Sequence, residues 1–364
     1  MKNTLGSSVC VTLFGESHGA QIGAVLDGLA PGIPVDEARI ARQLSLRRPA
    51  GKISTARREQ DEFRIVSGVF EGKTTGTPLT ILIPNADTRS DDYRRGAPRP
   101  GHADYTAYVK YHGFEDYRGG GHFSGRITAA LTAAGAVALT ALERREIAVG
   151  THIARCAGID DAPFTDPRTE IEKLNSLAFA VLDPARGEAM RTAVEQAAAA
   201  GDSVGGVLET MVIGLPAGVG EPWFDTLESL LAHGLFAIPA VKGVEFGDGF
   251  ALADLRGSEA NDALVLRDGQ PATATNHNGG INGGISNGAA VVFRCAVKPT
   301  PSIRLPQRTV NLQEMREEEL TLGGRHDPAI VHRARVVADS VTALVLCDAL
   351  AQRYGTDWLR GEPG

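Results

Sequence analysis

One stretch of this chain, residues 126–145, restricts the possible folds more than any other. Its sequence is RITAALTAAGAVALTALERR, in which alanine and larger apolar residues fall on nearly every face of a helix. A surface helix keeps a polar face for water, whereas a helix that is apolar all round has to be covered on all sides. The stretch therefore predicts a central helix between two layers of other elements.

Strands and helices are mixed irregularly along the rest of the chain. Apolar patterns predict strands in VTLFG, near 150–156, near 207–214 and in AAVVFRCAVKP. They also predict two strands, FRIVSGVF and PLTILIP, that form a hairpin-like pair around EGKTTGT. Helices are predicted at 37–48 with Asp36 as the N-cap, near 187–200, near 225–234 and through VVADSVTALVLCDALAQRY. Without a regular strand–helix–strand alternation, the pattern favours an α+β fold over a doubly wound sheet. No composition break marks a linker, so we expect one domain over residues 1–364, with a flexible tail from about residue 355.

Charge is unevenly distributed along the 364 residues. The formal net charge of −7 argues against a general nucleic-acid-binding protein. Basic residues nevertheless concentrate in two segments, which contain Arg42, Arg47, Arg48, Lys52, Arg57 and Arg58, and then Arg89, Arg94, Arg95 and Arg99. Such a block suits a small polyanion, and a solvated charged face is the alternative.

Cysteine and histidine spacing gives no sign of disulfides or a metal site. The four cysteines are far apart without a C-x-x-C pair, and the nine histidines are scattered without zinc-site spacing. With no secretory leader and no apolar run judged long enough to cross a bilayer, we expect reduced thiols in a cytoplasmic protein that does not contact membranes.

Two glycine-rich stretches are candidates for anion contacts. YRGGGHFSGR precedes the apolar helix, where free backbone N–H groups and the helix dipole favour a phosphate, and Ser124 and Arg126 would add a hydroxyl and a charge. Close helix packing that requires glycine is the alternative. NGGINGGISNG suits either close approach to a flat or charged group or a surface loop. SGVFEGKTTG joins two strands and lacks the first glycine of a phosphate loop, and no GxGxxG motif supports a Rossmann site.

Histidines within polar segments are candidate proton donors. GESHG places Ser17 and His18 in a glycine-flanked turn, and RPGHADY places His102 in a polar loop over 84–121 that is long enough to be functional. Imidazoles suit proton transfer near neutral pH, while arginines hold an anion. GRHDP brings Arg325 and Asp327 together, although a helix cap is the alternative role for this aspartate.

Nine motifs together resemble the chorismate synthase family. GESHG, RRP, RRE, SGVFEGKTTGTP, RPGHADY, GGGHFSGRIT, GGINGGISNG, KPTPSI and GRHDP occur in that order between about residues 6 and 350. The resemblance implies a β-α-β sandwich with central helices between antiparallel sheets, assembled as a homotetramer. It also implies 1,4-anti elimination of phosphate from 5-enolpyruvylshikimate 3-phosphate to give chorismate, in the shikimate pathway of aromatic amino acid biosynthesis. Reduced FMN would be required without net redox change, lending an electron transiently as phosphate leaves. The two carboxylates and phosphate of that substrate would explain the arginine-rich block.

The resemblance also implies roles for individual residues. His18 matches a proton donor to the leaving phosphate, His102 a histidine that protonates the reduced flavin, and Asp327 an aspartate near flavin N5. Ser17 and Ser124 would hydrogen-bond the histidines. The implied substrate-binding residues are Arg48, Arg58, Arg99 and Arg126. The implied cofactor-binding residues are Arg47, Lys52, His122, Phe123, Ser124, Pro239, Ala240, Gly283, Lys298, Pro299, Thr300, Pro301, Ser302 and Arg325, of which Arg47 and Lys52 match nicotinamide-nucleotide contacts.

Three positions depart from the family pattern. HFSGR stands where RSSAR is commoner in the family, so His122 replaces an arginine. Lys52 also stands in place of an arginine and lacks the planar, two-pronged guanidinium group. Asp339 stands where glutamate is commoner. No added reductase domain is visible, which predicts dependence on an external, NADPH-consuming flavin reductase. Two alternatives stay open: a non-catalytic anion- or RNA-binding module with steep salt dependence, and a flavin enzyme whose reaction consumes reductant in step with product.

Overall fold

Two five-stranded antiparallel sheets form the outer layers of the computed structural model, which describes residues 3–49, 51, 53–54, 60–86, 93–323 and 327–360. Strands are numbered in chain order. The N-terminal strands are β1 (Thr4–Leu5), β2 (Cys10–Gly15), β3 (Gln21–Asp27), β4 (Arg64–Ser67), β5 (Val69–Phe70), β6 (Lys73–Thr74) and β7 (Leu79–Pro84). The first sheet has the order β1-β2-β3-β7-β4, and β5 and β6 form a separate hairpin. The expected pairing of FRIVSGVF with PLTILIP is confirmed, since β4 pairs with β7.

The second sheet contains strands from the C-terminal half. These later strands are β8 (Ala148–Cys156), β9 (Ile159–Asp160), β10 (Gly206–Ile213), β11 (Val241–Phe246), β12 (Leu264–Arg267), β13 (Gln270–Thr273), β14 (Ile281–Asn282), β15 (Ile285–Ser286), β16 (Val291–Val297), β17 (Gln307–Asn311) and β18 (Arg316–Leu320). The order in the sheet is β11-β16-β10-β8-β9, while β12–β13, β14–β15 and β17–β18 are two-stranded hairpins.

A layer of helices lies between the two sheets. The α-helices of the described residues, of which α3 and α8 form the centre of this layer, are α1 (Glu37–Arg47), α2 (Asp104–Lys110), α3 (Thr128–Glu143), α4 (Pro167–Leu174), α5 (Pro184–Ala199), α6 (Leu227–Phe236), α7 (Gly257–Ala260) and α8 (Val331–Tyr354). Helix α3 packs on β3 and β7 of the first sheet, α8 packs on β8 and β10 of the second, and the two helices pack on each other. The α+β sandwich expected from the sequence is confirmed.

The prediction of a central buried helix is also confirmed. Every residue of α3 except Thr140 and Glu143 is buried. A Cβ at Gly135 would lie 2.2 Å from Cβ of Ser340, so glycine lets α3 and α8 cross at short distance. By length and composition Gly125–Glu143 could cross a membrane, contrary to the sequence-based expectation, yet 89% of the apolar window is buried inside the protein. Its apolar surface is therefore used for packing within this fold.

Asp339 is part of a buried polar network between α8 and the second sheet. Its carboxylate accepts hydrogen bonds from Arg335 Nη1 at 3.0 Å and from Thr151 Oγ1 at 2.6 Å, and only 2% of the residue is exposed. Burial raises the pKa of Asp339, while the Arg335 charge opposes the rise. This network gives the position a structural role in joining the two layers.

Two segments differ from the sequence-based description. The polar loop over 84–121 contains α2 and a 3₁₀ segment at Arg118–Phe123, rather than irregular structure throughout. The segment expected to be a flexible tail contains a 3₁₀ helix, Thr356–Arg360, on which Leu359 is fully buried. Arg145 donates to the carbonyl of Trp358 and its guanidinium lies 4.2 Å from that indole ring, so this segment is packed on the body of the protein.

Candidate active site

A three-glycine turn, residues 119–121, lies at the centre of the candidate site. All three glycines have left-handed φ angles, of 61°, 82° and 53°. A Cβ at Gly119 would lie 2.5 Å from Cδ2 and Nε2 of His18, and one at Gly120 would lie 2.9 Å from Cε1 of His102. The two histidines, 84 residues apart in the chain, therefore contact successive residues of one turn. Glycine is required there by the backbone angles and by the lack of space for a side chain.

Backbone and amide contacts fix the turn that carries His18. The Ser17 N–H donates to the carbonyl of Gly121 at 3.0 Å, which joins this turn to the three-glycine turn. Asn85 Nδ2 donates to the carbonyls of Glu16 at 2.9 Å and Gly19 at 2.8 Å. These bonds hold both sides of the turn, so the imidazole leaves it in a defined direction.

His122 and the two serines contribute in different ways. His122 Nδ1 lies 2.8 Å from the carbonyl oxygen of Gly15. Ser124 Oγ accepts from the Arg126 N–H at 3.3 Å and so caps a helical turn, which otherwise leaves N–H groups without acceptors. Ser17 Oγ is fully buried and has no partner among the described residues. The expected hydrogen bonds from these serines to imidazoles are thus not formed in the described part of the chain.

His102 belongs to a polar cluster at the start of α2. Its Nδ1 lies 2.6 Å from Asp104 Oδ1, and Arg99 binds the same carboxylate through Nε and Nη2, both at 2.8 Å. Tyr93 joins this cluster to the other histidine, because its ring meets that of His18 edge to face at 5.5 Å and lies 5.3 Å from the Arg99 guanidinium carbon. Burial alone would raise the pKa of Asp104, but the hydrogen bonds and charges of Arg99 and His102 hold that pKa well below its usual range.

The predicted cofactor segments adjoin this cluster. Lys298 Nζ donates to the carbonyl of Gly101, whose Cβ position would be 3.3 Å from Cβ of Pro301. Arg99 Nη1 lies 3.5 Å from Ser302 Oγ. The Lys298 N–H donates to the carbonyl of Ala240 at 3.0 Å, which brings the 239–240 segment against 298–302.

A second charged cluster lies at the start of α3. Arg47 Nη2 lies 3.1 Å from one oxygen of Asp61, and Arg126 Nη1 binds the other oxygen. All three side chains are buried, and Asp61 adopts a left-handed φ of 54°. Burial and the nearby Arg333 and Arg126 charges lower the pKa of Arg47 to about 10, although Asp61 opposes them. Burial would raise the pKa of Asp61, but the two arginines lower it.

Hydrogen bonds connect this second cluster to His18 and to Asp327. Arg126 Nε donates to Asn85 Oδ1 at 2.9 Å, and Asn85 holds the His18 turn. On the other side, Arg333 Nε donates to the carbonyl of Arg47 at 2.8 Å, and its Nη1 lies 2.5 Å from Asp327 Oδ2. Helix α8 begins at Val331 with Ile330 as its N-cap, so Asp327 pairs with an arginine instead of capping the helix.

Several predicted residues are peripheral or lie outside the described part. Arg48 donates to Gln60 Oε1 at 3.2 Å, and Phe123 is 37% exposed with its ring 6.2 Å from that of Tyr111. Gly283 lies in the β14–β15 turn beside the start of α6, whereas Pro239 and Ala240 follow the end of that helix. The length of α6, about 15 Å, therefore separates Gly283 from Pro239 and Ala240. The place of Gly283 in a flavin site rests on the family resemblance alone. Lys52, Arg58 and Arg325 fall outside the described residues.

Four residues of the site were not identified from the sequence. Asp61, Asn85, Tyr93 and Asp104 connect the predicted residues to one another. Asp104 lies within the recognised motif RPGHADY, and Tyr93 lies shortly before it. Their closeness in sequence to His102 and Arg99 was therefore a usable signal. Asp61 and Asn85 had no such signal, because they meet Arg126 across 65 and 41 residues of chain.

Features around the turn fit a flat, polar cofactor such as a flavin. Ser17 Oγ and Thr300 Oγ1 are buried hydroxyls without partners among the described residues, and each offers a donor and an acceptor. Gly119 and Gly120 present bare backbone between the histidines. In contrast, the described residues contain no group of three or more histidine, cysteine or acidic side chains arranged to hold a metal ion.

Comparison with known proteins gives one consistent family. A family model described as chorismate synthase matches residues 9–351. Chorismate synthases from Thermococcus gammatolerans and Aeropyrum pernix are 50% and 45% identical to this chain; the alignments cover 96% and 100% of this chain and 97% and 99% of theirs. A crystal structure of chorismate synthase superposes with a TM-score of 0.77 at 28% identity, covering 97% of this chain and 94% of that one.

Proposed function

The chain belongs to the chorismate synthase family of carbon–oxygen lyases, and we propose that it converts 5-enolpyruvylshikimate 3-phosphate into chorismate by 1,4-anti elimination of phosphate. The observation that carries this proposal is the contact of His18 and His102 with successive glycines of one turn. Two proton-transfer groups are thereby held at one three-glycine turn, next to buried guanidinium groups. An elimination that releases an anion and moves a proton needs both kinds of group.

We propose that the cofactor is reduced FMN, held by the 298–302 segment together with Pro239, Ala240 and the His102 side of the turn. When bound there, the cofactor would supply electron density as the allylic carbon–oxygen bond breaks. The short contacts among Lys298, Gly101 and Pro301 support this location, since they give a preformed surface. The buried Thr300 hydroxyl also supports it, since it has no hydrogen-bond partner among the described residues and could bind the cofactor. Asp327 would hold its position near the flavin through Arg333.

His18 would donate a proton to the departing phosphate. Its turn is held by Asn85, which also binds Arg126, so the imidazole and a guanidinium share one rigid support. A positioned acid typically contributes about 10²- to 10⁴-fold in rate. His102, held from the opposite side of the three-glycine turn, would keep a proton on the reduced cofactor.

Positive charge in the second cluster would attract the substrate. The guanidiniums of Arg47, Arg126 and Arg333 lie there with the carboxylates of Asp61 and Asp327. A charge in a largely buried place acts over a longer range than the same charge in water. Arg48, Arg58, Arg99 and Arg325 would add further contacts to the substrate anions.

Assembly and supply of reductant belong to the same proposal. We propose a homotetramer of single-domain subunits in the cytoplasm, with an external NADPH-dependent flavin reductase. Large exposed aromatic side chains support assembly, since Trp223, Phe224 and Phe250 are 84%, 92% and 84% exposed in the single chain.

An anaerobic turnover experiment tests the reaction. The protein is given catalytic reduced FMN and 5-enolpyruvylshikimate 3-phosphate, and phosphate and chorismate are followed together. We expect many turnovers per flavin with equal amounts of both products. Product that stops at one equivalent per reductant would support net redox chemistry, and binding of polyanions without phosphate release would support a binding module; either result would reject the proposal.

A further inference from the structure

Asp104 is more than a structural partner of Arg99. We propose that Asp104 is a positioning residue that fixes the tautomer and direction of the His102 imidazole, so that Nε2 is the atom available for proton transfer. This inference rests on the role proposed above for His102. It concerns a residue that carries no role in the family-based assignment of the site.

The contacts of the carboxylate support this role. Oδ1 of Asp104 receives His102 Nδ1 at 2.6 Å and Arg99 Nη2 at 2.8 Å, while Oδ2 receives Arg99 Nε at 2.8 Å and the Arg99 backbone N–H at 3.0 Å. Four donors surround one carboxylate whose side chain is only 17% exposed. Because an ionised carboxylate can only accept, the His102 nitrogen that faces it has to carry a proton.

The opposite edge of the ring faces the three-glycine turn. A Cβ at Gly120 would be 2.9 Å from Cε1 and 3.2 Å from Nε2 of His102. Arg99 Nη2 lies 3.1 Å from Nδ1 and 3.3 Å from Nε2, so it is nearly equidistant and cannot lie on the lone-pair axis of either nitrogen. Nε2 is therefore left to give and receive protons on the side of the proposed cofactor surface.

Replacing the carboxylate with an amide should reverse the tautomer. With its oxygen towards His102, the amide of Asp104→Asn would point its N–H groups at two donors, Nε and the backbone N–H of Arg99. Turned the other way, it would meet only one donor, Arg99 Nη2, and would donate to His102 Nδ1. In the second orientation the amide N–H group faces one other N–H donor instead of two, so this orientation is favoured. Because the amide then donates to His102 Nδ1, the neutral ring has to carry its proton on Nε2. A comparable amide substitution beside a catalytic histidine produces the wrong tautomer and a large loss of kcat.

Steady-state kinetics and ¹⁵N spectra of the histidine rings test the proposal on the full-length protein. For Asp104→Asn we expect kcat to fall by at least about tenfold and at most by the roughly 10²- to 10⁴-fold that a general acid contributes, with KM for the substrate changed by less than about threefold. Asp104→Glu restores two acceptor oxygens and should recover part of the lost kcat. The matched control is Asp248→Asn, which removes a similar bond to His277 Nδ1 away from the turn and should leave kcat unchanged.

The spectra separate positioning from mere stability. In the parent protein the neutral His102 ring should be protonated on Nδ1, and in Asp104→Asn on Nε2. A parent His102 protonated on Nε2 would overturn the proposal even if the variant did not fold, and so would an Asp104→Asn protein with the kcat of the parent. If the parent formed no chorismate, the proposed function would fail, while the ring spectra would still decide the role of Asp104.

Discussion

Alanine at Gly119 is the substitution that tests the geometry of the site most sharply. The residue has a φ of 61°, which costs an L-amino acid about 1–2 kcal/mol in the left-handed region. The added methyl group would also lie 2.5 Å from the His18 ring and 2.9 Å from Ser17 Oγ. The Ser17 N–H bond to Gly121 holds the backbone, so the imidazole has to move.

The size of the effect follows from that contact. Ordinary van der Waals contact begins near 3.4 Å, so the His18 ring has to retreat by about 1 Å, and a misplacement of this size lowers catalysis by about 100-fold. Gly158→Ala is a matched control, because Gly158 has a φ of 80° but no atom within 4 Å of its Cβ position. Both variants should lose unfolding free energy because of the left-handed φ, Gly119→Ala more than Gly158→Ala because of its added contacts, and only Gly119→Ala should lose turnover.

Anaerobic chorismate formation and urea unfolding measure the two quantities separately. We expect kcat of Gly119→Ala to fall about 100-fold and that of Gly158→Ala to stay at the parent value, while the unfolding free energy of both falls. If the two variants turned over at the same rate, the His18 ring would not be held against the turn in the working enzyme, and the reasoning would be wrong.

Three further predictions address the charges and the protons. His18→Ala and His102→Ala should each lower turnover at least about tenfold while FMN still binds in a fluorescence titration, and near-normal turnover in both would remove their acid roles. Asp61→Asn should lower the unfolding free energy by about 3–5 kcal/mol in urea titrations, because two buried arginines lose their shared anion, and an unchanged value would contradict the pairing. Burial opposes charge on His152, but its hydrogen bonds to two carboxylates, one of them Asp161, raise its pKa above 6.5. The stability that the charged His152 adds is therefore complete below about pH 6.5 and is lost as the pH rises through the raised pKa. Between about pH 6 and 9 the Tm should therefore fall more in the parent than in His152→Gln. Parallel plots of Tm against pH for the two proteins would contradict this.

Long, patterned elements of the fold could be predicted from the sequence. Helices α3 and α8 are rich in apolar residues over many turns, and β7 and β16 are apolar runs interrupted only by Thr80 and Arg294, so their apolar patterns identified them. Helix α2 was missed because it has only seven residues, so the helical spacing of Tyr105, Tyr108 and Val109 covers barely one turn, and these three side chains are exposed instead of belonging to the core. Short helices of this kind are decided by their tertiary contacts.

The candidate site was predictable in its parts but not in its connections. Motifs identified His18 and His102, yet nothing in the sequence showed that successive glycines of one turn would separate them. The family resemblance assigns Arg47 to the nicotinamide nucleotide and Arg126 to the substrate, and gave no sign that both would pair with Asp61, as they do in the structure. Burial explains this arrangement, since two guanidiniums removed from water need an internal anion. Such long-range partners depend on the packed fold and leave no local signal.

A crystal structure of the protein with FMN and 5-enolpyruvylshikimate 3-phosphate tests the central claim most directly. The claim is that one glycine turn holds one imidazole towards the substrate phosphate and the other towards the flavin. We expect His18 within hydrogen-bonding distance of the substrate phosphate and His102 Nε2 within hydrogen-bonding distance of the flavin, with the 119–121 backbone between them. A complex in which either imidazole faced away from both ligands would contradict the claim.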